Sequence, residues 1–169
     1  LVYLQEIIST LAIQNKAKVI MITDACRAGK LAGSEIGGSQ ATAANLSKQF
    51  ANETKILSCQ PNEYALEGLN WGGGRGVFSY YFLNGIQGLA DKNNDEEVTL
   101  SEIGRYLEDN VTVSVAPHPQ TPMIIGERTT KISSVNSEVL TMLLKENHKE
   151  EFSSIATRSN IIFELITKD

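Results

Sequence analysis

Cysteine is nearly missing: Cys26 and Cys59 are the only thiols in 169 residues. Two are too few for the disulfide framework of a small secreted domain, so a reducing cytoplasm is the expected compartment. They form no CxxC or CxxH pair, which leaves no structural zinc pattern. Long apolar runs are missing too. None approaches the roughly 18 residues of a membrane helix, and no signal peptide opens the chain. Nor is there an excess of positive charge. Lys+Arg total 15 against 20 Asp+Glu, a net −5 at pH 7, which argues against nucleic-acid and membrane partners.

What is present suits a globule. The chain is one domain's worth, long enough to bury about 70% of its unfolded surface without a disulfide or metal staple. Its hydrophobic share of 41% is ordinary for a soluble protein. Leu1 stands inside a helical pattern, and the expectation is a fragment or one piece of a cleaved protein.

Along the chain, Leu4, Ile7, Ile8 and Leu11 mark one helix face over Val2 to Gln14. Val19-Ile20-Met21-Ile22 is a β-branched run that fits a strand covered on both faces, as in a parallel sheet. It stops at the polar group Thr23-Asp24-Ala25-Cys26-Arg27-Ala28-Gly29. Residues 29–54 are rich in Gly, Ser, Ala and Asn and read as a long loop. Lys55 to Cys59 is a second strand, and Val77 to Leu89 a helix packed on the sheet. Thr99 to Asn110 is another helix, and Met123-Ile124-Ile125 a strand after a proline-rich stretch. From Ser134 two charged amphipathic helices are expected, over 137–147 and 151–166. The order of elements predicts an α/β fold with a mostly parallel sheet flanked by helices, as residues 1–130, and a helical extension, as residues 131–169.

Reactive groups of an open α/β sheet gather beyond the carboxyl ends of its strands, where Asp24 and Cys26 stand. At i and i+2 of an extended segment their side chains point the same way. A thiol there is a candidate nucleophile, since a thiolate attacks carbonyls and needs only a base to form it. A buried structural cysteine is the alternative for Cys26, and a carboxylate capping a nearby loop or helix is the alternative for Asp24.

The stretch Val19 to Gly29 resembles the nucleophile strand of the caspase-like cysteine peptidases, in particular the metacaspase and bacterial orthocaspase branch. There the strand ends in Asp-x-Cys followed by a small residue and glycine. Further likenesses follow in collinear order to about residue 127. They are Lys55 to Cys59 through Glu63-Tyr64-Ala65, Gly76 to Leu83, Asp91 to Asp95 with Val98-Thr99-Leu100, and Pro119-Gln120-Thr121-Pro122. The resemblance implies a caspase-like fold incomplete at the N-terminus, and a Cys–His dyad with Cys26 as nucleophile. Backbone N–H groups near the nucleophile hold the oxyanion, and Gly29 is a place where backbone could approach substrate. The family's histidine lies about 50 residues before the cysteine, whereas 25 residues precede Cys26. Neither His118, in a rigid Pro-His-Pro loop, nor His148, in a charged helix, matches it. The histidine is therefore expected upstream of Leu1, and that segment is an expected partner of this chain.

In the metacaspase branch the residue matching Asp24 receives a basic side chain. Glu67 falls where caspases carry an arginine for acidic substrates, and its alternative is a surface charge. Two carboxylates favour Arg or Lys and repel Asp. Ser58 is expected to line the same pocket, and Cys59 to be buried in its strand. The expected activity is cleavage of protein or peptide substrates after Arg or Lys. The alternative is a catalytically inactive scaffold or signalling module of the same fold. Within 29–54, Lys30 and Lys48 are basic sites at which such a peptidase could cut itself; an ordinary loop is the alternative.

No cofactor is required by this chemistry. Asp91, Asn93, Asp95, Glu97, Thr99 and Glu102 follow the oxygen-ligand spacing of a calcium loop, yet position six is Glu96, where the sharp turn wants glycine. Thr99-Leu100-Ser101-Glu102 is also a capping box, so a structural turn is preferred to calcium, with a calcium-sensing module as a third functional idea. Gly72-Gly73-Gly74-Arg75-Gly76 lacks the Lys-Ser/Thr of a phosphate loop.

Overall fold

The computed structural model describes residues 2–26 and 52–147. They form a mixed α/β arrangement of helices and small sheets. In chain order, α1 (Val2–Ser9) runs on as a wider π turn over Thr10–Gln14, and β1 (Val19–Thr23) follows. After β2 (Glu53–Leu57), the two-residue strands β3 (Glu67–Gly68) and β4 (Arg75–Gly76) make a hairpin. Then come α2 (Val77–Asn84) with a π turn over Gly85–Leu89, β5 (Glu97–Thr99) and α3 (Leu100–Val115). Last are β6 (Met123–Ile125), β7 (Lys131–Ser134) and a helix, α4, over 137–147. Among the described residues no helix is long and apolar enough to cross a membrane. The expected helix over 151–166 and most of the expected 29–54 loop lie outside the described residues.

The site rests on a three-stranded sheet ordered β1-β2-β6. β1 and β2 are parallel, with Val19 opposite Glu53 and Thr23 opposite Leu57. β6 is antiparallel to β2, with Met123 opposite Leu57. Among the described residues the sheet thus holds one parallel and one antiparallel pair, where a mostly parallel sheet was expected. α3 and the loop after it deliver the chain to the carboxyl end of β2, and a strand entering there without a crossover must run backwards.

β2 is the strand buried on both faces, all five residues included. Its Glu53 and Lys55, two apart and so on one face, pair at 2.8 Å within the interior. β1 differs from expectation: Ile20 and Ile22 are 41% and 47% exposed. It is an edge strand among the described residues, and only its other face packs, through Met21, on Leu57 and Cys59.

α2 and α3 cover the sheet. Phe78, Phe82, Ile103, Leu107 and Val111 close on Ile56 and Ile124, with the rings of Phe78 and Phe82 stacked at 5.9 Å. α3 starts where the sequence places its cap. Thr99 accepts from the Glu102 N–H, and Glu102 accepts in return from the Thr99 N–H at 3.0 Å. It runs on to Val115 rather than stopping at Asn110, because Val111 and Val115 remain on its buried face. β7 was not expected. It pairs with β5, and Ile132 and Val135 pack on the main core. Residues 131–135 thus belong with the α/β core, not with the helical extension to which the sequence reading assigned them.

Candidate active site

Two parallel strands end together, and their ends build the floor. The Ser58 N–H donates to the Thr23 carbonyl at 3.0 Å, one step past the strands. The Ser58 hydroxyl then brackets Ala25: it accepts from the Ala25 N–H and donates to the Ala25 carbonyl, both at 3.2 Å. The Cys59 thiol lies 3.4 Å from the same carbonyl. Ser58 and Cys59 are both fully buried. Cys59 is therefore the buried thiol expected, whereas Ser58, expected to line a pocket, lies fully buried beneath the Ala25–Cys26 segment. The short hydroxyl thus serves both polar groups of Ala25, two residues past the end of β1.

Cys26 stands on that floor, exposed. Its Sγ is 3.9 Å from the carbonyl of Ala65. Ala65 belongs to a wall that leads into β3. The Val77 N–H donates to the Leu66 carbonyl at 2.9 Å, and Glu67 pairs with Gly76. Glu67 is thus at a non-hydrogen-bonded position, with its own N–H and carbonyl facing away from β4. The carbonyl of Ala65, two residues before β3, faces the Cys26 thiol. The segment from Ala65 to Glu67 therefore leads from the thiol into β3.

Asp24 turns to the start of α2. Its Oδ2 accepts from the Ser79 N–H at 3.2 Å and from the Ser79 hydroxyl at 2.6 Å. The first N–H groups of a helix have no partner within it. Gly76, at the N-cap, has no side chain to offer, so Asp24 caps α2 from another element. The capping alternative raised for Asp24 is thus observed, and it leaves Oδ1 without a partner among the described residues. A Cβ at Gly76 would overlap Oδ2 and sit 3.3 Å from Cγ; glycine there is what admits the carboxylate. Glu67, directly opposite Gly76 and exposed, adds a second acidic side chain to the same hairpin. The Gly-rich run is the turn of that hairpin. Gly72, Gly73 and Gly74 take φ of +57°, +79° and +123°, values that side chains resist.

Two residues that sequence reasoning did not assign hold the wall. Gln120 is fully buried. Its Oε1 accepts from the Leu66 N–H at 2.8 Å and its Nε2 donates to the Ser58 carbonyl at 3.1 Å. Glu63 takes the Thr121 N–H at 2.6 Å and the Gln60 N–H at 3.0 Å. Nothing local in the sequence marks Gln120, whose partners Leu66 and Ser58 lie 54 and 62 positions away.

His118 is exposed, and its N–H donates to the Val115 carbonyl at 2.9 Å. Among the described residues no imidazole contacts Cys26. Gly29, Lys30, Lys48 and His148 lie outside the described residues. The 91–102 loop is a turn tied by its own side chains. Asp91 accepts from the N–H groups of Asp95 and Glu96, and Asp95 from that of Glu97. Glu96, at the position of the missing glycine, takes φ +65°. Thr99 and Glu102 are engaged in the capping box. Among the described residues no cluster of three or more His, Cys, Asp or Glu is arranged to hold a metal ion. Away from the site, burial beside Tyr81 and Tyr80 pushes the Tyr106 phenol well above its ordinary 10.0.

Compared with protein-family models, curated proteins and solved structures, the chain matches none.

Proposed function

We propose that this chain is part of a caspase-like cysteine endopeptidase that cleaves after Arg or Lys. The observation that carries the reading is the exposed Cys26 thiol, held on a buried floor and 3.9 Å from the Ala65 carbonyl in the segment that leads into β3. An extended peptide pairing along Ala65 to Glu67 would bring its scissile carbonyl to Cys26 Sγ. Asp24, fixed through one oxygen to Ser79, keeps the other for a guanidinium or ammonium group of the residue before the cut. A charge-assisted hydrogen bond of that kind contributes about 1.5–3 kcal/mol, roughly a 10- to 100-fold preference over a neutral side chain.

The chemistry follows from a thiol so placed. A histidine takes the Cys26 proton; the thiolate adds to the carbonyl carbon, and the C–N bond breaks as the amine leaves with that proton. The thioester is then hydrolysed by water, which returns the thiol. The histidine is expected from sequence upstream of Leu1. Among the described residues the outer edge of β1 has no neighbouring strand, and Ile20 and Ile22 are exposed; that surface is where an upstream segment would pack.

The test is hydrolysis of fluorogenic peptides ending in Arg, Lys or Asp by the full-length protein, beside Cys26→Ala. Cleavage after Arg and Lys, lost in Cys26→Ala, is the expected result. Cleavage after Asp would keep Cys26 and overturn the role of Asp24. Silence towards all three would move the assignment to an inactive scaffold.

A further inference from the structure

The floor under Cys26 and the wall beside it are separate pieces of chain, and one side chain spans them. We infer that Gln120 is a positioning residue that sets the distance between the nucleophile and the strand edge against which substrate would pair; this rests on the endopeptidase reading of Cys26. The contacts form a closed circuit. Ala25, next to Cys26, is bracketed by the Ser58 hydroxyl. The Ser58 carbonyl receives Gln120 Nε2, and Gln120 Oε1 receives the Leu66 N–H. Ala65, bonded to Leu66, returns its carbonyl to within 3.9 Å of Cys26 Sγ.

The chemistry of the amide suits the task. The Ser58 carbonyl needs a donor and the Leu66 N–H needs an acceptor, and a primary amide offers one of each from a single planar group. Gln120 is fully buried, so water does not substitute for it. Its neighbour Thr121 is anchored to Glu63 through both N–H and hydroxyl, at 2.6 and 3.2 Å. The loop therefore pins the wall at two points, Glu63 and Leu66, on either side of Tyr64 and Ala65. Gln120 touches neither substrate nor thiol; it acts by keeping the Ala65 edge in register with Cys26.

The test is Gln120→Met in the full-length protein, which keeps the length of the side chain and removes both hydrogen bonds. Hydrolysis of an Arg-ending fluorogenic peptide should lose kcat by about 10- to 100-fold, the cost of misplacing reacting atoms by about 1 Å, with KM changed less than about threefold. Iodoacetamide needs no strand edge, so Cys26 should be alkylated at the parental rate to within about twofold, followed by mass spectrometry of the Cys26 peptide. Unchanged kcat in the folded variant would overturn the inference, as would alkylation slowed in step with kcat, which would mean that Gln120 acts on the thiol itself. If Gln120→Met does not fold, Thr121→Val reads the same brace more gently. It removes one hydroxyl bond to Glu63, and kcat should fall about two- to fivefold with KM held; no change in kcat would overturn the inference. A parental protein that cleaves no peptide overturns the endopeptidase reading and the inference with it. An active parent with an unaffected variant overturns the inference alone.

Discussion

Gly76→Ala should displace the Asp24 carboxylate without replacing Asp24 itself. The backbone at Gly76 has φ −62° and ψ 138°, which any residue adopts, so alanine brings no backbone strain. It should even stabilise by about 0.4–1 kcal/mol through the unfolded chain, offset by a similar cost of alanine at an N-cap. What remains is the collision. The new Cβ would overlap Asp24 Oδ2 and stand 3.3 Å from Cγ, and that carboxylate is pinned by two bonds to Ser79. Overpacking costs about 1–3 kcal/mol, and displaced bonds add about 0.5–1.5 kcal/mol each at most. A net destabilisation of about 2–3 kcal/mol is expected. At about 2–4 °C per kcal/mol for a chain of this size, the melting temperature should fall by roughly 4–12 °C. The assay is thermal unfolding by circular dichroism of parent, Gly76→Ala, Asp24→Ala and the double variant. In the Asp24→Ala background the glycine change should cost less than about 0.5 kcal/mol, giving a coupling of about 2 kcal/mol. Equal losses in both backgrounds, or none in the parent, would refute the contact and the account of why glycine stands there.

Ser58→Ala removes the hydroxyl that brackets both polar groups of Ala25. It should destabilise by about 0.5–1.5 kcal/mol for each hydrogen bond lost, read by chemical denaturation, and lower kcat rather than KM. Thr99→Ala breaks the capping box of α3 and should cost about 1 kcal/mol. Because Thr99 and Glu102 are engaged there, millimolar calcium should leave the melting temperature within about 1 °C, and a clear rise would assign the 91–102 loop to the metal. Tyr106 carries a phenol raised by burial above 10.0. The unfolded chain therefore loses that proton first, and stability present below about pH 10 should decline as pH rises beyond it. Tyr106→Phe should flatten that alkaline decline, and an unaltered pH profile would contradict the burial of the phenol.

Local patterns were readable where one residue's environment is set by its neighbours in sequence. The β-branched run before Asp24, the helix face of 99–110 and the Thr99–Glu102 cap depend on spacing alone, and each is found. Cys59 was readable as buried for the same reason. The direction of β6 was not, because it depends on which end of the sheet α3 and its loop deliver the chain to. β7 was missed because Ile132 is the only large apolar side chain among its four residues. At the site, Asp24 and Cys26 could be picked out as neighbours beyond a strand. Ser79, Gln120 and Glu63 could not, since their partners lie 55, 54 and 58 positions away and only the fold brings them together. Ser58 was placed on the right segment but on the wrong side of it. Strand alternation decides facing only within a strand, and β2 ends at Leu57.

The central claim is that Cys26 is a nucleophile whose substrate is selected by Asp24. It is tested most directly by treating the full-length protein with peptidyl chloromethyl ketones ending in Arg or in Asp, then mapping the adduct by mass spectrometry. A single adduct is expected on Cys26, formed at least about tenfold faster with the Arg reagent, an advantage lost in Asp24→Asn, with Cys59 unmodified. Equal rates for the two reagents, or modification of Cys59 with Cys26 untouched, would contradict it.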